Sequence, residues 1–199
     1  MMYLKGERLL ILSKVDLKEY MEKDKVALGI KKKFPIPFTD EIWRFERLLR
    51  QTEYVTNLKK GFWGKIIIGF YKIRFHRLSL KLGFTIPLNV FGKGLSIAHY
   101  GTIVVNSNAR IGNYCRIQDS TTIGATNGSS KAPEIGDHCF IGSGARIIGN
   151  IKIADGVCIG ANAVIIKDIL ENNTTWAGIP GKKVSDKGAQ SNLLIEDKE

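Results

Sequence analysis

Few side chains in this 199-residue chain can move a proton near neutral pH or act as a nucleophile. There are three histidines and three cysteines. His99 stands in GLSIAHYGTIVVN, residues 94–106, as the only side chain of that mostly apolar stretch to titrate near neutrality. An accessible imidazole is mostly neutral at physiological pH yet accepts a proton, which is what a general base needs. His138 falls at a polar position of the repeat described below and reads as a surface residue. Cys115, Cys139 and Cys158 show no CxxC or His-Cys spacing, so they suit neither a disulfide framework nor a zinc site. They fit a reducing compartment, and a cytoplasmic location is expected.

What holds His99 in place is a strict repeat. From residue 105 onward Val105, Ile111, Ile117 and Ile123, then Ile135, Ile141, Ile147, Ile153, Ile159 and Ile165, recur every six residues with one gap of twelve. Two positions before each comes a second set: Ala109, Cys115, Thr121, Cys139, Ala145, Ile151, Val157 and Ala163. A period of six is neither helix nor simple strand. It describes a short flat segment, a corner and another flat segment, and three such sides stack into a parallel β-helix. Cys115 and Cys139 occupy the inward small position and read as inert core thiols. IGSGARIIGN superficially suggests a dinucleotide loop, but its glycines keep the phase of the repeat and lack the required spacing.

Two departures from the repeat stand out. Phe91, Ile97 and Ile103 also run in sixes but two residues out of phase with Val105. His99 follows the inward Ile97 by two residues, which sets it at an outward corner. If the shift is an outward bulge, Ile97 stacks under Ile117 and His99 lies under Asp119. The second departure is IGATNGSSKAPEI, where Ser129 takes the place of a rung and TNGSSKAP should bulge outward as a loop.

Residues 1–84 have helical patterning. Ser13 with Asp16 forms a capping-box-like start before VDLKEYMEKDKVAL. Thr39 precedes DEIWRFERLLRQTEYV, where Ile42, Phe45, Leu49 and Thr52 trace one face, and the breaker-rich KKFPIPF separates the two helices. A third segment, FWGKIIIGFYKIRFHRLSLKL, mixes bulky apolar and basic residues. It either packs on the next domain or rests on an anionic membrane face. The longest strongly apolar run, IIIGFY at 66–71, is far shorter than the ~20 residues of a membrane span. The opening MMYLKGERLLILSK lacks a small-residue cleavage site and does not read as a signal peptide.

The net charge of +11 is compatible with nucleic acid, an anionic membrane surface or a polyphosphate ligand. No Asp or Glu occurs from Tyr54 to Gln118, where ten lysines and arginines fall. No recognition helix, RNP-like motif or zinc finger accompanies them, so nucleic acid is not the expected partner.

Residues 84–184 resemble the hexapeptide-repeat acyltransferases, in the serine acetyltransferase-like branch. The resemblance is carried by FGKGLSIAHYGTIVVN, the loop after TTIGATNG, the run IGDHCFIGSGARIIGNIKIADGVCIGANAVI and the closing AGIPGKK. It implies a mainly β fold, a left-handed parallel β-helix at 85–184 behind an N-terminal α-helical region at 1–84, with a tail at 185–199. It also implies a homotrimer binding acetyl-CoA between subunits, with no metal. The family's catalytic histidine matches His99, the base that removes the acceptor hydroxyl proton as its oxygen attacks the thioester. No serine or cysteine is placed for a covalent acyl-enzyme.

The aspartate partner of the serine enzymes aligns with Phe84, so Asp119 is the expected orienter of His99, with a backbone carbonyl as the competing choice. Gly124, Ala125, Ser143 and Ala161 match the positions along the pantetheine arm. Pro180-Gly181 is a type II turn signal that would bring Lys182 and Lys183 to the coenzyme A phosphates. In the acceptor site the serine enzymes carry an Asp where this chain has Ala98, and an Arg-His pair where it has Lys131-Ala132. Unpaired charge in a site is costly, which argues against a free amino acid. The resulting expectation is acetyl transfer to a hydroxyl of a sugar or polysaccharide precursor. The rivals are L-serine, a sugar amine, and a catalytically silent scaffold.

Overall fold

A computed structural model describes residues 10–126 and 128–194. Three helices come first: α1 (Lys14–Ala27), α2 (Glu41–Leu58) and α3 (Gly61–Leu82). The Ser13 hydroxyl accepts from the Asp16 N–H at 3.0 Å, and the Asp16 carboxylate accepts from the Leu12 N–H at 3.0 Å, so the expected reciprocal cap forms. At α2 the cap position is held by Asp40, one residue beyond Thr39, and its carboxylate is engaged by the Ile36 N–H and Lys32. The buried face of α2 is wider than the four residues of the sequence pattern. It also takes in Trp43, Leu48 and Val55, with four ionisable groups, Glu41, Glu46, Arg50 and Glu53.

Fourteen short strands follow: β1 (Phe84–Thr85), β2 (Ser96–Ile97), β3 (Ile103–Val105), β4 (Arg110–Ile111), β5 (Arg116–Ile117), β6 (Thr121–Gly124), β7 (Glu134–Ile135), β8 (Phe140–Ile141), β9 (Arg146–Ile148), β10 (Lys152–Ile153), β11 (Cys158–Ile159), β12 (Val164–Ile165), β13 (Thr175–Ala177) and β14 (Lys182–Ser185). They form three sheets, in the orders β1-β3-β6-β9-β12, β10-β7-β4 and β14-β13-β11-β8-β5-β2. All pairings are parallel except β13 with β14. Up to β13, successive strands lie in different sheets and return to the same sheet one coil later, which is the three-sided parallel coil that a six-residue period requires. Isoleucine stacks on isoleucine along it: Ile97 on Ile117, Ile117 on Ile141, Ile123 on Ile147. Both sets of repeat positions are buried.

The departures from the repeat are absorbed at corners. Five residues, 98–102, separate β2 from β3, against three, 118–120, between β5 and β6 on the next coil. The two-residue surplus therefore sits in one turn and leaves the ladders in register on both sides. Nine residues, 125–133, join β6 to β7.

Both ends of the coil are closed by unlike elements. At the first coil, backbone groups that a preceding coil would have bonded meet charged side chains instead. The Gly94 and Leu95 N–H groups donate to Asp24 and the Ile97 N–H to Glu46, while the Phe91 and Gly92 carbonyls accept from Arg50. At the last coil the antiparallel β14 folds back on β13. A 3₁₀ turn, Ala189–Asn192, then places the Ala189 N–H on the Gly156 carbonyl. Nothing in the sequence pattern of the tail signalled that turn, in which Ala189 is fully buried.

Candidate active site

One corner of the coil gathers His99 and Asp119. It is built by a chain of ladder bonds: Ala98 N–H to Ile117 O, Gln118 N–H to Ile141 O, Gly142 N–H to Ile159 O, and Gly160 N–H to Trp176 O. The residues beside these links, His99, Asp119, Ser143 and Ala161, therefore form one column on successive coils. His99 is exposed at its top, in the five-residue turn. Gly101 has φ +135° and lies so close to Asp119 that a Cβ there would stand 3.0 Å from the Asp119 Cβ. The turn is also fastened to the end of α3, through Gly101 N–H to Leu82 O and Ile103 N–H to Gly83 O.

Asp119 is fixed from the other side. Its carboxylate accepts from the Ser143 hydroxyl at 2.8 Å and the Ser120 hydroxyl at 3.1 Å. The Ser143 bond, assisted by Ser120 and by the nearby His99, holds the Asp119 carboxyl below the usual carboxylate range. Gln118 accepts from the Ser143 N–H at 3.0 Å, so Ser143 is itself held. A hydrogen-bonded carboxylate beside an exposed imidazole is an arrangement able to orient the ring and stabilise its protonated form.

Glu46 lies beneath this corner. It is fully buried, accepts from the Ile97 N–H at 2.9 Å and leaves Oε2 without a partner. Burial, with Asp24 nearby, pushes its carboxyl well up. Sequence reasoning missed this support, because Glu46 falls between Ile42 and Leu49 on α2 and reads as a charge on the helix edge. The only hint is its i,i+4 spacing from Ile42 and from Arg50.

Except for Ala98, which precedes it in the chain, the remaining candidates stand apart from His99. Gly124 and Ala125 belong to the next corner, where Gly149 N–H donates to Gly124 O. A Cβ on Gly124 would meet Ile148 Cδ1 at 3.3 Å, so the small residue there also serves packing. Lys131 is exposed in the 125–133 loop, its backbone held by the Ser129 hydroxyl. Ala98 is half-buried. Lys182 is exposed on β14, whereas the Lys183 ammonium is engaged by Glu171 and Asp186. Gly181 lacks the positive φ that a type II turn requires at that position, so the closing turn is not the type II turn expected; the Ile179–Pro180 peptide before it is cis. Ser143 and Ala161 offer a narrow strip of small side chains below His99, continued by Ala177 and Gly178, which suits a thin extended ligand.

The other reactive residue types have structural roles. His138 is half-buried with φ +58° and stacks on Tyr114 with ring centroids 4.9 Å apart. All three cysteines are buried and free. Burial pushes the thiols up, that of Cys139 to about 12. Among the described residues no cluster of His, Cys, Asp or Glu could hold a metal ion. A groove of about 470 Å³ between α1 and α2, lined by Lys18, Met21 and Arg47 among others, lies away from His99.

Residues 132–167 match the bacterial transferase hexapeptide (six repeats) family. Those residues place the coil's repeat in line with the hexapeptide-repeat transferases, to which it is similar. Within them it is similar to serine acetyltransferases: 34% identical over 105 residues to that of Synechococcus elongatus, covering 52% of this chain and 43% of the relative. Against the Escherichia coli K12 serine acetyltransferase the figures are 38% over 107 residues, 51% of this chain and 39% of the relative. The match thus spans less than half the length of these curated relatives. Among solved structures, the serine acetyltransferase of Brucella abortus shares the fold with a TM-score of 0.69 at 22% identity, over 88% of this chain and 72% of that one. The same Brucella enzyme in complex with coenzyme A gives a TM-score of 0.66, over 88% and 70% of the two chains.

These relatives overturn the expectation of a sugar or polysaccharide-precursor acceptor. That reading leaned on Ala98 and Lys131-Ala132, that is, on charged groups missing at particular places in the sequence. A small zwitterion needs partners in space rather than in sequence, and the coil brings together residues that lie far apart along the chain.

Proposed function

We propose that the protein is an acetyl-CoA-dependent O-acetyltransferase whose acceptor is the hydroxyl of L-serine. The observation that carries the reading is the exposed His99, in a surplus turn near Asp119, whose carboxylate two hydroxyls hold in place. His99 takes the proton of the acceptor hydroxyl as that oxygen attacks the thioester carbonyl, and returns it to the departing thiolate of coenzyme A. Asp119 orients the imidazole and offsets its positive charge while the proton is there. The acetyl group passes directly between the substrates. Ser143 and Ala161, with Gly124 and Ala125 at the next corner, line the pantetheine arm, and Lys182 faces the phosphates, joined by Lys183 once it exchanges Glu171 and Asp186 for them. Lys131, which stands apart from His99 within one chain, meets the acceptor's carboxylate near Ala98 across the subunit boundary.

The proposal includes a left-handed coil at residues 85–184, behind a helical region at 1–84, in a homotrimer whose subunit boundary completes the site, in the cytoplasm. The family resemblance and the open position of His99 on the coil surface support that assembly.

The test is release of coenzyme A from acetyl-CoA with and without L-serine, for the intact chain and His99→Ala. Serine-dependent release that falls by about 10²–10⁴ in the variant is expected. Release that does not depend on serine overturns the acceptor, and release that survives in the variant overturns the base.

A further inference from the structure

Helix α3 has two apolar faces, and only one of them is covered. Gly64, Ile68, Tyr71, Phe75, Leu78 and Leu82 follow each other at spacings of three and four and turn toward the body of the protein. Phe75 stacks on Phe45 of α2 with centroids 5.3 Å apart. On the opposite side Phe62, Ile66, Ile73 and Leu80 form one line with Trp63 and Phe70 beside it. All six are exposed, Trp63 to 75% and Leu80 to 70%. A soluble helix ordinarily shows water a polar face there.

The charges around this ridge are all of one sign. Lys65 and Lys72 flank it on one side and Arg74 on the other, Arg77 lies within it, and Lys59 and Lys60 precede it. The Arg74 guanidinium lies 5.4 Å over the Phe70 ring, so the cation rides on the apolar surface. The same composition continues in Lys31, Lys33, Phe34, Ile36 and Phe38, all exposed. Just beyond that segment Glu41 ties the start of α2 to the end of α3, accepting from Lys81 at 2.9 Å. No carboxylate exists on α3 to receive a matching row of cations from a second copy, so a symmetric pairing of these faces would set like charges together. No helix among the described residues is long and apolar enough to cross a membrane.

We propose that α3 docks flat on an anionic lipid bilayer, its aromatic and aliphatic ridge among the acyl chains and its lysines and arginines on the phosphodiester headgroups. Exposed Trp and Phe on an apolar ridge between basic rows have the composition of an interfacial helix. The inference is independent of the acetyl-transfer reading.

The experiment is co-sedimentation of the full chain with phosphatidylcholine vesicles, with and without about one third phosphatidylglycerol, near physiological salt. Two paired variants accompany it, Trp63→Ser with Phe70→Ser and Lys65→Glu with Lys72→Glu, each checked for folding by circular dichroism. Binding to the anionic vesicles alone is expected. Each pair should weaken it by about tenfold or more, since both cation–headgroup attraction and apolar insertion contribute. Absence of binding, equal binding to neutral vesicles, or binding unchanged by the Trp63 and Phe70 pair overturns the proposal. So does a change in the mass of the vesicle-free protein caused by that pair, which would assign the face to another copy of the chain.

Discussion

Replacing Arg50 with Met should destabilise the protein by an amount that depends steeply on pH. Arg50 is fully buried and bonds Asp24 at 2.7 and 3.3 Å and Glu53 at 3.1 Å. Burial pushes both carboxyls up and Arg50 pulls them back down. Desolvation opposes the Arg50 charge in turn, yet Asp24 and Glu53 hold it above its ordinary range. Without the guanidinium neither carboxylate can stay ionised in that environment, so folding must protonate it. From an ordinary pKa of about 4, that costs about 4 kcal/mol per carboxyl at pH 7 and about 1.4 kcal/mol at pH 5. The sign follows from the raised folded value: stability is retained near and below the unfolded pKa and is lost as pH climbs toward the folded one. The Phe91 and Gly92 carbonyls also lose their donor, a loss of about 1–3 kcal/mol each at any pH. The variant should therefore fold at pH 5 and lose most of its folded population by pH 7, as read by urea denaturation across that range. A loss of equal size at both pH values would show that the carboxylates are not held ionised by Arg50, and the reasoning would fail.

Four other outcomes are expected. kcat should fall in the order His99→Ala, Asp119→Asn, Ser143→Ala, because Ser143 reaches the base only through Asp119; equal losses of kcat for the last two at saturating acetyl-CoA would contradict that order. Glu46→Gln should gain stability relative to the parent as pH rises from about 4.3 toward 7, since a raised carboxyl loses its contribution over that interval; parallel melting curves at all pH values would contradict this. The cysteines should not react with an aromatic disulfide reagent at pH 8 until the chain is unfolded, because burial disfavours all three thiolates. Gly112→Ala should cost about 1–3 kcal/mol in a urea titration, because the new Cβ would stand 2.3 Å from Asp137 Oδ1 and 2.7 Å from the Gly136 backbone.

The coil was legible because its rule is one-dimensional: every sixth residue must fill the same interior, and a stacked isoleucine leaves its mark whatever lies around it. The same rule located His99, since a two-residue phase slip between Ile103 and Val105 has to be accommodated near Ile97. It also led from His99 to Asp119, through the pairing of Ile97 with Ile117. What escaped were contacts between segments that share no period. Asp24, Glu46, Arg50 and Glu53 look like the solvated edges of two amphipathic helices until the first coil is set against them. The acceptor was misjudged for a related reason, because Ala98 and Lys131 were weighed by their neighbours in sequence. The two apolar faces of α3 were equally hidden, because opposite faces of similar composition cancel in any helical average.

The charged closure of the first coil also bears on how the protein behaves in a crowd. A repeat that stacks on itself through open backbone edges is a template for its own growth, and one exposed rung would let a second molecule continue the array end to end. Asp24, Glu46 and Arg50 occupy the hydrogen-bonding groups such a molecule would need, and they do so with groups that no incoming strand can match. The ion cluster thus doubles as a chain terminator for polymerisation: it fixes the length of the array at one molecule.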